Sequence, residues 1–261
     1  MRPIAEIVDA ISRRTLTLDG TDHPVQIDEN DVSRAYLPLA RLVRERSACV
    51  AARRYIVGIS GPPGAGKSVT ATILAACLEE LGAGVVVIPL DGFHYPNEYL
   101  RTHRGPDHAG EERSLADLKG WYPTFNVKRA LDALEAVRAG QKVRLPVYSR
   151  VLHDPVEGGL SIEPSHHVVL VEGNYLFFRE GLWNRVYELL DLTVFVTAPR
   201  EVLIAQLRER HMRGGRSARE AEEKIRKVDE PNMDAILGTR NRAEFVIEGV
   251  RGSLAMERKG V

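Results

Sequence analysis

Cysteines are few in this sequence, and long apolar runs are missing. Cys49 and Cys77 are its two cysteines, too few and too far apart for a disulfide framework, which favours a reducing compartment. No run approaches the roughly 18 apolar residues of a membrane-spanning helix. The start, MRPIAEIVDA, has acidic residues and a proline where a signal peptide needs an unbroken apolar stretch. We therefore expect a cytoplasmic protein with no membrane partner.

A net charge is also missing, because 36 Lys and Arg residues balance 36 Asp and Glu residues. This balance gives no general attraction to nucleic acid or to an anionic membrane, so we expect no nucleic-acid partner. The apolar content of 44% and the charged content of 28% are ordinary for a globular protein. The sequence does not determine the oligomeric state, and a homodimer is left open.

The length of 261 residues allows one α/β domain or two small ones. No linker rich in Gly, Ser or Pro divides the chain. The segment YLPLARLVRERS places Tyr36, Leu37, Leu39, Leu42 and Val43 on one helical face. We therefore predict a single domain over 1–261, in which residues 1–53 form a helical extension packed on the remainder.

From Arg54 onward the apolar pattern alternates between strands and helices. The predicted strands are 55–60, 85–90, 168–173, 192–198 and, as the last one, 245–249. The predicted helices are 69–82, 126–140 with Asn126 as N-cap, 200–215 and 217–230. Repeated strand–helix alternation predicts an α/β fold, a parallel sheet with helices on both faces.

A phosphate-binding motif lies between the first of these strands and the first helix. GPPGAGKS fits the pattern G-x-x-x-x-G-K-[ST]. Its glycines let the backbone curl so that several N–H groups face phosphate oxygens, and the next helix adds its positive end. Lys67 is expected to contact the β- and γ-phosphates, and Ser68 to bind Mg²⁺. We predict a P-loop NTPase-type fold with ATP and Mg²⁺ as cofactors, and the expected nucleotide contacts are Gly61, Pro62, Pro63, Gly64, Ala65, Gly66, Lys67, Ser68 and Val69.

The remaining motifs exclude several kinds of P-loop protein. The N-K-x-D motif of guanine-nucleotide switches is missing, and so is an LSGGQ-like signature of ABC-type ATPases. The strand at 168–173 ends in a single acid, Glu172, and not in the Asp-Glu pair of AAA-type motors. The group that remains is the small-molecule kinases.

Two acids, Asp91 and Glu172, each follow an apolar strand. In a doubly wound sheet ligands bind beyond the carboxyl ends of the strands, where the phosphate loop also lies. One acid can accept the proton of the acceptor hydroxyl, and the other can hold Mg²⁺. Because we expect strand 85–90 to be buried, the carboxylate that follows it should be paired, coordinated or used in chemistry. Close to Asp91, His94 and Tyr95 are expected to line the acceptor pocket.

A basic segment, LRERHMRGGRSARE, spans 207–220 and contains a Gly-Gly hinge. We predict a lid over 199–220 that closes over the phosphates, with Arg210 as the phosphate contact and Arg213 and Arg216 behind it. His103 and His108 have no metal-site spacing, and we expect them to lie in a mobile loop.

Four segments, GPPGAGKS, PLDGFHYPN, PVYSRVLHDPVEG and VEGNYLF, resemble in this order the phosphoribulokinase/uridine kinase superfamily of P-loop kinases. The resemblance covers most of the chain. It is nearest to type I pantothenate kinases and to the bacterial nucleoside/nucleotide kinases, also described as fructose transport system kinases. DEPNMDAILGTR, at 229–240, is more similar to the nucleoside/nucleotide kinase branch.

This resemblance implies specific roles for single residues. It implies that Asp91 is the catalytic base and that Glu172 lies beside the metal. It also implies acceptor contacts and one further nucleotide contact, at Arg240. The implied or candidate acceptor residues are Tyr148, Arg150, His153, Asp154, Asn174 and Asn232.

We therefore expect an ATP- and Mg²⁺-dependent kinase that phosphorylates a hydroxyl group of a small metabolite. A sugar or sugar-like acceptor is preferred, followed by a nucleoside and then by pantothenate. The alternative of another class is a nucleotide-binding regulatory ATPase that acts through a protein partner.

Overall fold

The computed structural model describes residues 3–14, 16–18, 21–23, 27–50, 52–250 and 253–259. The α-helices are α1 (Ile4–Ser12), α2 (Glu29–Asp31), α3 (Leu37–Ala48), α4 (Lys67–Glu80), α5 (Asn97–Thr102), α6 (Val127–Arg138), α7 (Leu182–Glu188), α8 (Arg200–Arg213), α9 (Ala218–Lys224) and α10 (Glu230–Leu237). The strands are β1 (Leu16–Leu18), β2 (Thr21–His23), β3 (Tyr55–Ser60), β4 (Val85–Pro89), β5 (Arg104–Pro106), β6 (Glu112–Ser114), β7 (Val143–Ser149), β8 (Asp154–Ile162), β9 (Val168–Glu172), β10 (Leu192–Thr197), β11 (Phe245–Val250) and β12 (Ser253–Arg258). Short π-helical stretches, Val32–Tyr36 and Ile225–Asp229, precede α3 and α10.

The described residues form a central six-stranded sheet in the order β12-β11-β10-β3-β9-β4. The pairs from β11 through β4 are parallel, and β12 is antiparallel to β11. This confirms the predicted α/β fold and its five strands. The prediction that 245–249 is the last strand was wrong, because β12 follows it and closes that edge of the sheet.

Alternate residues of the central strands enter two hydrophobic clusters. Val57 and Ile59 of β3 pack on one face with α1, α3 and α4, whereas Ile56 packs on the other face with α6 and α7. In β9, Leu170 and Val171 divide in the same way. A strand buried on both faces has no polar side to alternate with, which explains the unbroken apolar runs in the sequence.

The second predicted strand, β4, lies at the edge of the sheet. Ile88 is its one fully buried residue among Val85–Pro89. The expectation of a buried strand was therefore wrong. The run of valines has a different cause, because one side of β4 pairs with β9 and its branched side chains cover the edges of both cores.

Further local predictions concern helix ends and hairpins. Asn126 caps α6, since its side chain accepts a hydrogen bond from the Arg129 amide at 3.0 Å. The sequence patterns did not indicate the antiparallel pairs β5–β6 and β7–β8. Because β7–β8 carries the segment YSRVLHD in its turn, that segment is delivered by a hairpin.

Asp191, directly before β10, ties the amino ends of two strands together. Its carboxylate accepts two hydrogen bonds from the Arg53 guanidinium, at 2.6 and 2.7 Å. It also accepts one from the Ile56 amide of β3, at 2.8 Å. The side chain is 9% exposed, so these bonds are shielded from water.

We expect Asp191→Ala to lower the free energy of unfolding by about 2–3 kcal/mol, because it leaves a buried amide and a guanidinium without their acceptor. Denaturant titration measures this loss. Asp132→Ala is the matched control, since Asp132 forms an exposed pair with Lys128 and should change stability by less than about 0.5 kcal/mol. Equal midpoints for both variants would show that Asp191 does not join the strands.

Candidate active site

The phosphate loop, residues 61–66, connects β3 to α4 by a path that requires glycine. A Cβ atom on Gly61 would lie 2.0 Å from the carbonyl oxygen of Val196 in the neighbouring strand β10. Gly66 has a φ of +84° and is the N-cap of α4. The loop therefore lies tightly against the sheet edge, and the amino end of α4 faces the space in front of it, which suits an anion.

Lys67 is the first residue of α4, and its ammonium group is enclosed by the loop and the adjacent strands. Its Nζ donates a hydrogen bond to the Pro62 carbonyl at 3.0 Å. Burial lowers the pKa of Lys67 to about 8, an effect that nearby Arg210 increases and that Glu172 and Asp91 oppose. The lysine is thus a desolvated cation that a phosphate would stabilise.

Ser68, in the first turn of α4, is in contact with Glu172, the last residue of β9. The Ser68 hydroxyl donates a hydrogen bond to Oε1 of Glu172 at 3.0 Å, and Glu172 is 8% exposed. Within the described residues no three His, Cys, Asp or Glu side chains cluster as a metal site. One carboxylate and one hydroxyl are hard oxygen donors that fit Mg²⁺, which takes few protein ligands and completes its shell with water and phosphate oxygens.

Asp91 lies in a short 3-10 turn, Leu90–Phe93, directly after β4. Since β4 is an edge strand, Asp91 is exposed, and the expectation that burial would force this carboxylate into a pairing was wrong. The carboxylate still lies on the cavity wall opposite the phosphate loop, close enough to raise the pKa of Lys67.

His94 follows this turn and is buried. Its Nδ1 is 2.9 Å from the Asp91 carbonyl oxygen, which can only accept, so Nδ1 carries the proton. Burial lowers the pKa of His94. The imidazole is therefore neutral at pH 7, and its Nε2 is an acceptor facing a cavity that His94 lines.

These groups share one cavity of about 210 Å³. Of the residues proposed from sequence, those that line it are Pro63, Lys67, Ser68, Asp91, His94, Arg150, Glu172, Asn174, Arg210 and Asn232. They come from strand ends, the β7–β8 turn, α8 and α10, which are widely separated in sequence. The carboxyl edge of the sheet is the feature that brings them together.

Three other candidates, Tyr95, Tyr148 and Arg240, do not line this cavity. Tyr95 stacks on Tyr99, with ring centroids 4.2 Å apart. Tyr148 supports His94 from behind, with centroids 5.5 Å apart, and burial raises its pKa to about 12. Arg240 forms an ion pair with Glu248 at 3.1 Å. The acceptor contacts of Tyr95 and Tyr148 and the nucleotide contact of Arg240 stay predictions.

The β7–β8 turn contributes partly through its backbone. His153 is exposed, and its backbone is left-handed, with φ +52°. The backbone carbonyl of His153 accepts hydrogen bonds from Asn97 Nδ2 and Lys119 Nζ. Asp154 accepts a hydrogen bond from the Asn97 amide at 2.8 Å. Both residues therefore hold α5 against the hairpin.

The basic segment divides its arginines between the cavity and solvent. Arg210 lines the cavity and lies 4.0 Å from Asp229. Arg208 pairs with Glu222, and Arg213 pairs with Glu209 at 2.6 Å. The preference for Arg210 over Arg213 thus agrees with their placement.

Sequence reasoning missed several residues of the cavity. Lys119, His211, Lys224 and Asp229 all line it. His211 and Asp229 are both buried and are joined by a hydrogen bond of 2.6 Å. His108 is exposed in the turn between β5 and β6, as expected of a loop; it bonds Asn232 at 2.7 Å, and its ring centroid is 3.8 Å from that of Trp121. The sequence shows His211 and Asp229 only as polar residues within predicted helices. Periodicity alone cannot show which face of a polar helix packs inward.

A second and larger cavity, of about 790 Å³, lies behind the phosphate loop. Ala65 and Gly66 of the loop and Val69 of α4 line it, whereas Pro63 of the loop lines the smaller cavity. The N-terminal segment supplies another wall through Ile27, Asp28, Asp31 and Tyr36. Both cavities therefore adjoin the phosphate loop.

This chain is similar to several proteins of known sequence or structure. The uncharacterized protein YggC of Escherichia coli K12 is 30% identical over 236 residues, covering 89% of this chain and 94% of that protein. The pantothenate kinase of Enterococcus faecalis is 29% identical over 192 residues, covering 66% of this chain and 59% of that enzyme. The crystal structure of a "putative fructose transport system kinase" from Silicibacter sp. TM1040 superimposes with a TM-score of 0.70 at 28% identity, over 79% of this chain and 95% of that one.

The sequence profile of the Phosphoribulokinase / Uridine kinase family matches residues 56–254. This range contains the phosphate loop, both acids and every residue that lines the smaller cavity. The chain therefore belongs to the phosphoribulokinase/uridine kinase family of P-loop kinases.

Proposed function

We propose that this protein is an ATP- and Mg²⁺-dependent kinase that phosphorylates a hydroxyl group of a small metabolite, with a sugar or sugar-like compound as the preferred acceptor. The observation that carries the proposal is the single cavity shared by Lys67, the Ser68–Glu172 pair and Asp91. A regulatory ATPase would need the first two, but it has no use for a carboxylate facing them across an enclosed space.

The two cavities suit the two ends of the transfer. The phosphate loop and the amino end of α4 would hold the triphosphate, and the 790 Å³ cavity behind the loop would take the nucleoside part. Ser68 and Glu172 would hold Mg²⁺, which when bound neutralises phosphate charge and orients the β- and γ-phosphates. The smaller cavity in front of the loop is left for the acceptor.

Each residue then has a chemical task. Asp91 accepts the proton of the acceptor hydroxyl. At the same time the hydroxyl oxygen bonds to the γ-phosphorus, and the bond from this phosphorus to the β,γ-bridging oxygen breaks. His94 can orient this hydroxyl through its unprotonated Nε2. Lys67 and Arg210 stabilise the charge that develops on the transferred group.

The acceptor itself can be found with a coupled assay of ADP release over sugars, sugar derivatives, nucleosides and pantothenate. We expect release that depends on an acceptor and on Mg²⁺. ATP hydrolysis unaffected by every acceptor, together with a protein that binds only in the presence of ATP, would instead support the regulatory ATPase.

Asp91→Asn should reduce kcat by roughly a hundredfold or more, because the amide cannot accept the proton. ATP affinity should change little, because Asp91 lies across the cavity from the phosphate loop. Calorimetric titration of ATP and steady-state kinetics measure the two effects. A kcat equal to that of the parent would remove Asp91 from the role of base.

Glu172→Gln should raise the Mg²⁺ concentration needed for half-maximal turnover by about 10- to 100-fold, because the site loses its negative charge. A Mg²⁺ titration at saturating ATP measures the shift. The control is Glu201→Gln, which changes an exposed residue of α8 and should leave the titration unchanged. Overlapping curves for Glu172→Gln and the parent would contradict a metal role for Glu172.

Lys67 should make the stability of the ligand-free protein depend on pH. Its pKa is about 8 when folded and 10.5 in its ordinary range. Between these values the unfolded chain binds the extra proton, so stability rises with pH across this window, and the cost of burying the cation is fully present below pH 8. Lys67→Met removes that cost.

The difference in unfolding free energy between Lys67→Met and the parent should therefore be largest below pH 8. It should fall by about 2–3 kcal/mol as the pH approaches 10.5. Urea titrations at a series of pH values measure it, and Lys128→Met, at an exposed position of α6, should give a flat difference. Parallel curves for the parent and Lys67→Met would show that Lys67 is not desolvated.

A further inference from the structure

Two lysines that the transfer of phosphate does not require line the smaller cavity. Lys119 belongs to the turn that follows β6, and Lys224 is the last residue of α9. Both line the same space as Asp91. The Lys224 ammonium donates a hydrogen bond to the Lys119 carbonyl at 3.3 Å, so the two side chains come from adjacent backbone.

Their partners are neutral. The Lys119 ammonium donates hydrogen bonds to Asn97 Oδ1 at 2.5 Å and to the His153 carbonyl at 2.6 Å. It also lies 5.2 Å from the centroid of the Tyr148 ring. Among the residues that the structure describes, no carboxylate lies within ion-pair distance of either ammonium group.

Three carboxylates line the cavity, and a fourth, that of Asp154, lies close to Lys119. Glu172 accepts a hydrogen bond from Ser68, and Asp229 bonds His211. Asp91 follows β4, which is two strands away from the strand that leads into the phosphate loop. Asp154, behind the wall, caps α5 through the Asn97 amide. Asp154 and Asp229 act on Lys119 and Lys224 electrostatically, but among the described residues the hydrogen bonds of both ammonium groups go to uncharged oxygens.

This arrangement has an electrostatic cost in the free protein. Burial lowers the pKa of Lys119, Asp154 raises it and Lys224 lowers it further. Burial likewise lowers the pKa of Lys224, while Asp229 raises it and Arg216 and Arg210 lower it. Two neighbouring cations of reduced hydration are stabilised by an anion placed between them.

We propose that the acceptor carries an anionic group, a carboxylate or a phosphate, which Lys119 and Lys224 bind while its hydroxyl faces Asp91. This inference rests on the proposed kinase function and specifies its substrate class. The cavity volume of about 210 Å³ is below the range of roughly 300–1,000 Å³ of sites for drug-sized ligands. The acceptor is thus a short polyhydroxy acid or a short sugar phosphate.

The test is an ADP-release assay on acceptors that share a carbon skeleton and differ in charge. Three sets serve: glycerol, glycerate and glycerol phosphate; erythritol, erythronate and erythrose phosphate; ribose, ribonate and ribose phosphate. We expect kcat/KM for the best anionic member to exceed that of its neutral counterpart at least tenfold. The carboxylate and phosphate members of each set show which anion the lysines bind.

Lys119→Met and Lys224→Met then connect the preference to these residues. Each should raise KM for the anionic acceptor roughly 10- to 100-fold, the range for loss of one charge-assisted hydrogen bond. The KM for ATP should not change, which distinguishes the effect from damage to the phosphate site. Lys224→Arg should recover part of the affinity, showing that charge matters and that the helix is intact.

Lys227→Met is the matched control, because Lys227 is exposed three residues further on and pairs with Glu223. It should behave as the parent does. Neutral acceptors that react as well as anionic ones, with no effect of either lysine variant, would overturn the inference and leave the kinase function standing. Absence of acceptor-dependent ADP release across these sets and also across nucleosides and pantothenate would contradict both.

Discussion

The carboxyl edge of three adjacent parallel strands is the constraint on which this protein depends. In the order β3-β9-β4, each strand ends next to its neighbour, so the phosphate loop, Glu172 and Asp91 must emerge side by side. The close approach of Gly61 to the Val196 carbonyl fixes the loop against a fourth strand, β10. Parallel pairing thus produces the site geometry before any side chain of the lid or hairpin is added.

The second theme is the balance of charge within a small volume. On the phosphate side, the positive groups Lys67 and Arg210 lie near the carboxylates of Glu172 and Asp91. In the same cavity, Lys119 and Lys224 have neutral hydrogen-bond partners. This uneven distribution would give the proposed acceptor, which has one anionic group and one reacting hydroxyl, a single direction in the cavity.

Hairpins and short turns add what the sheet cannot supply. The β7–β8 turn brings Arg150 to the cavity and provides the His153 carbonyl that holds Lys119. The β5–β6 segment places His108 against Asn232. The π-helical stretch before α10 contributes Asp229, the partner of His211. Each of these contacts joins residues that are far apart along the chain. Among the described residues, no helix has both the length and the apolar character needed to cross a membrane.

Local patterns determined much of this protein from the sequence alone. Unbroken apolar runs, helix caps such as Asn126 and the motif from Gly61 to Ser68 predict the parallel sheet, its five central strands and the phosphate loop, because each depends on residues adjacent in sequence. Asp91 and Glu172 could be recognised because strand ends share one edge. Only the tertiary structure decided that β4 is an edge strand, that Tyr95 and Arg240 do not line the cavity, and that Lys119 and Lys224 do. Such placements depend on which surfaces meet after the chain has folded, and the free energy of that packing is not encoded in any single stretch of residues.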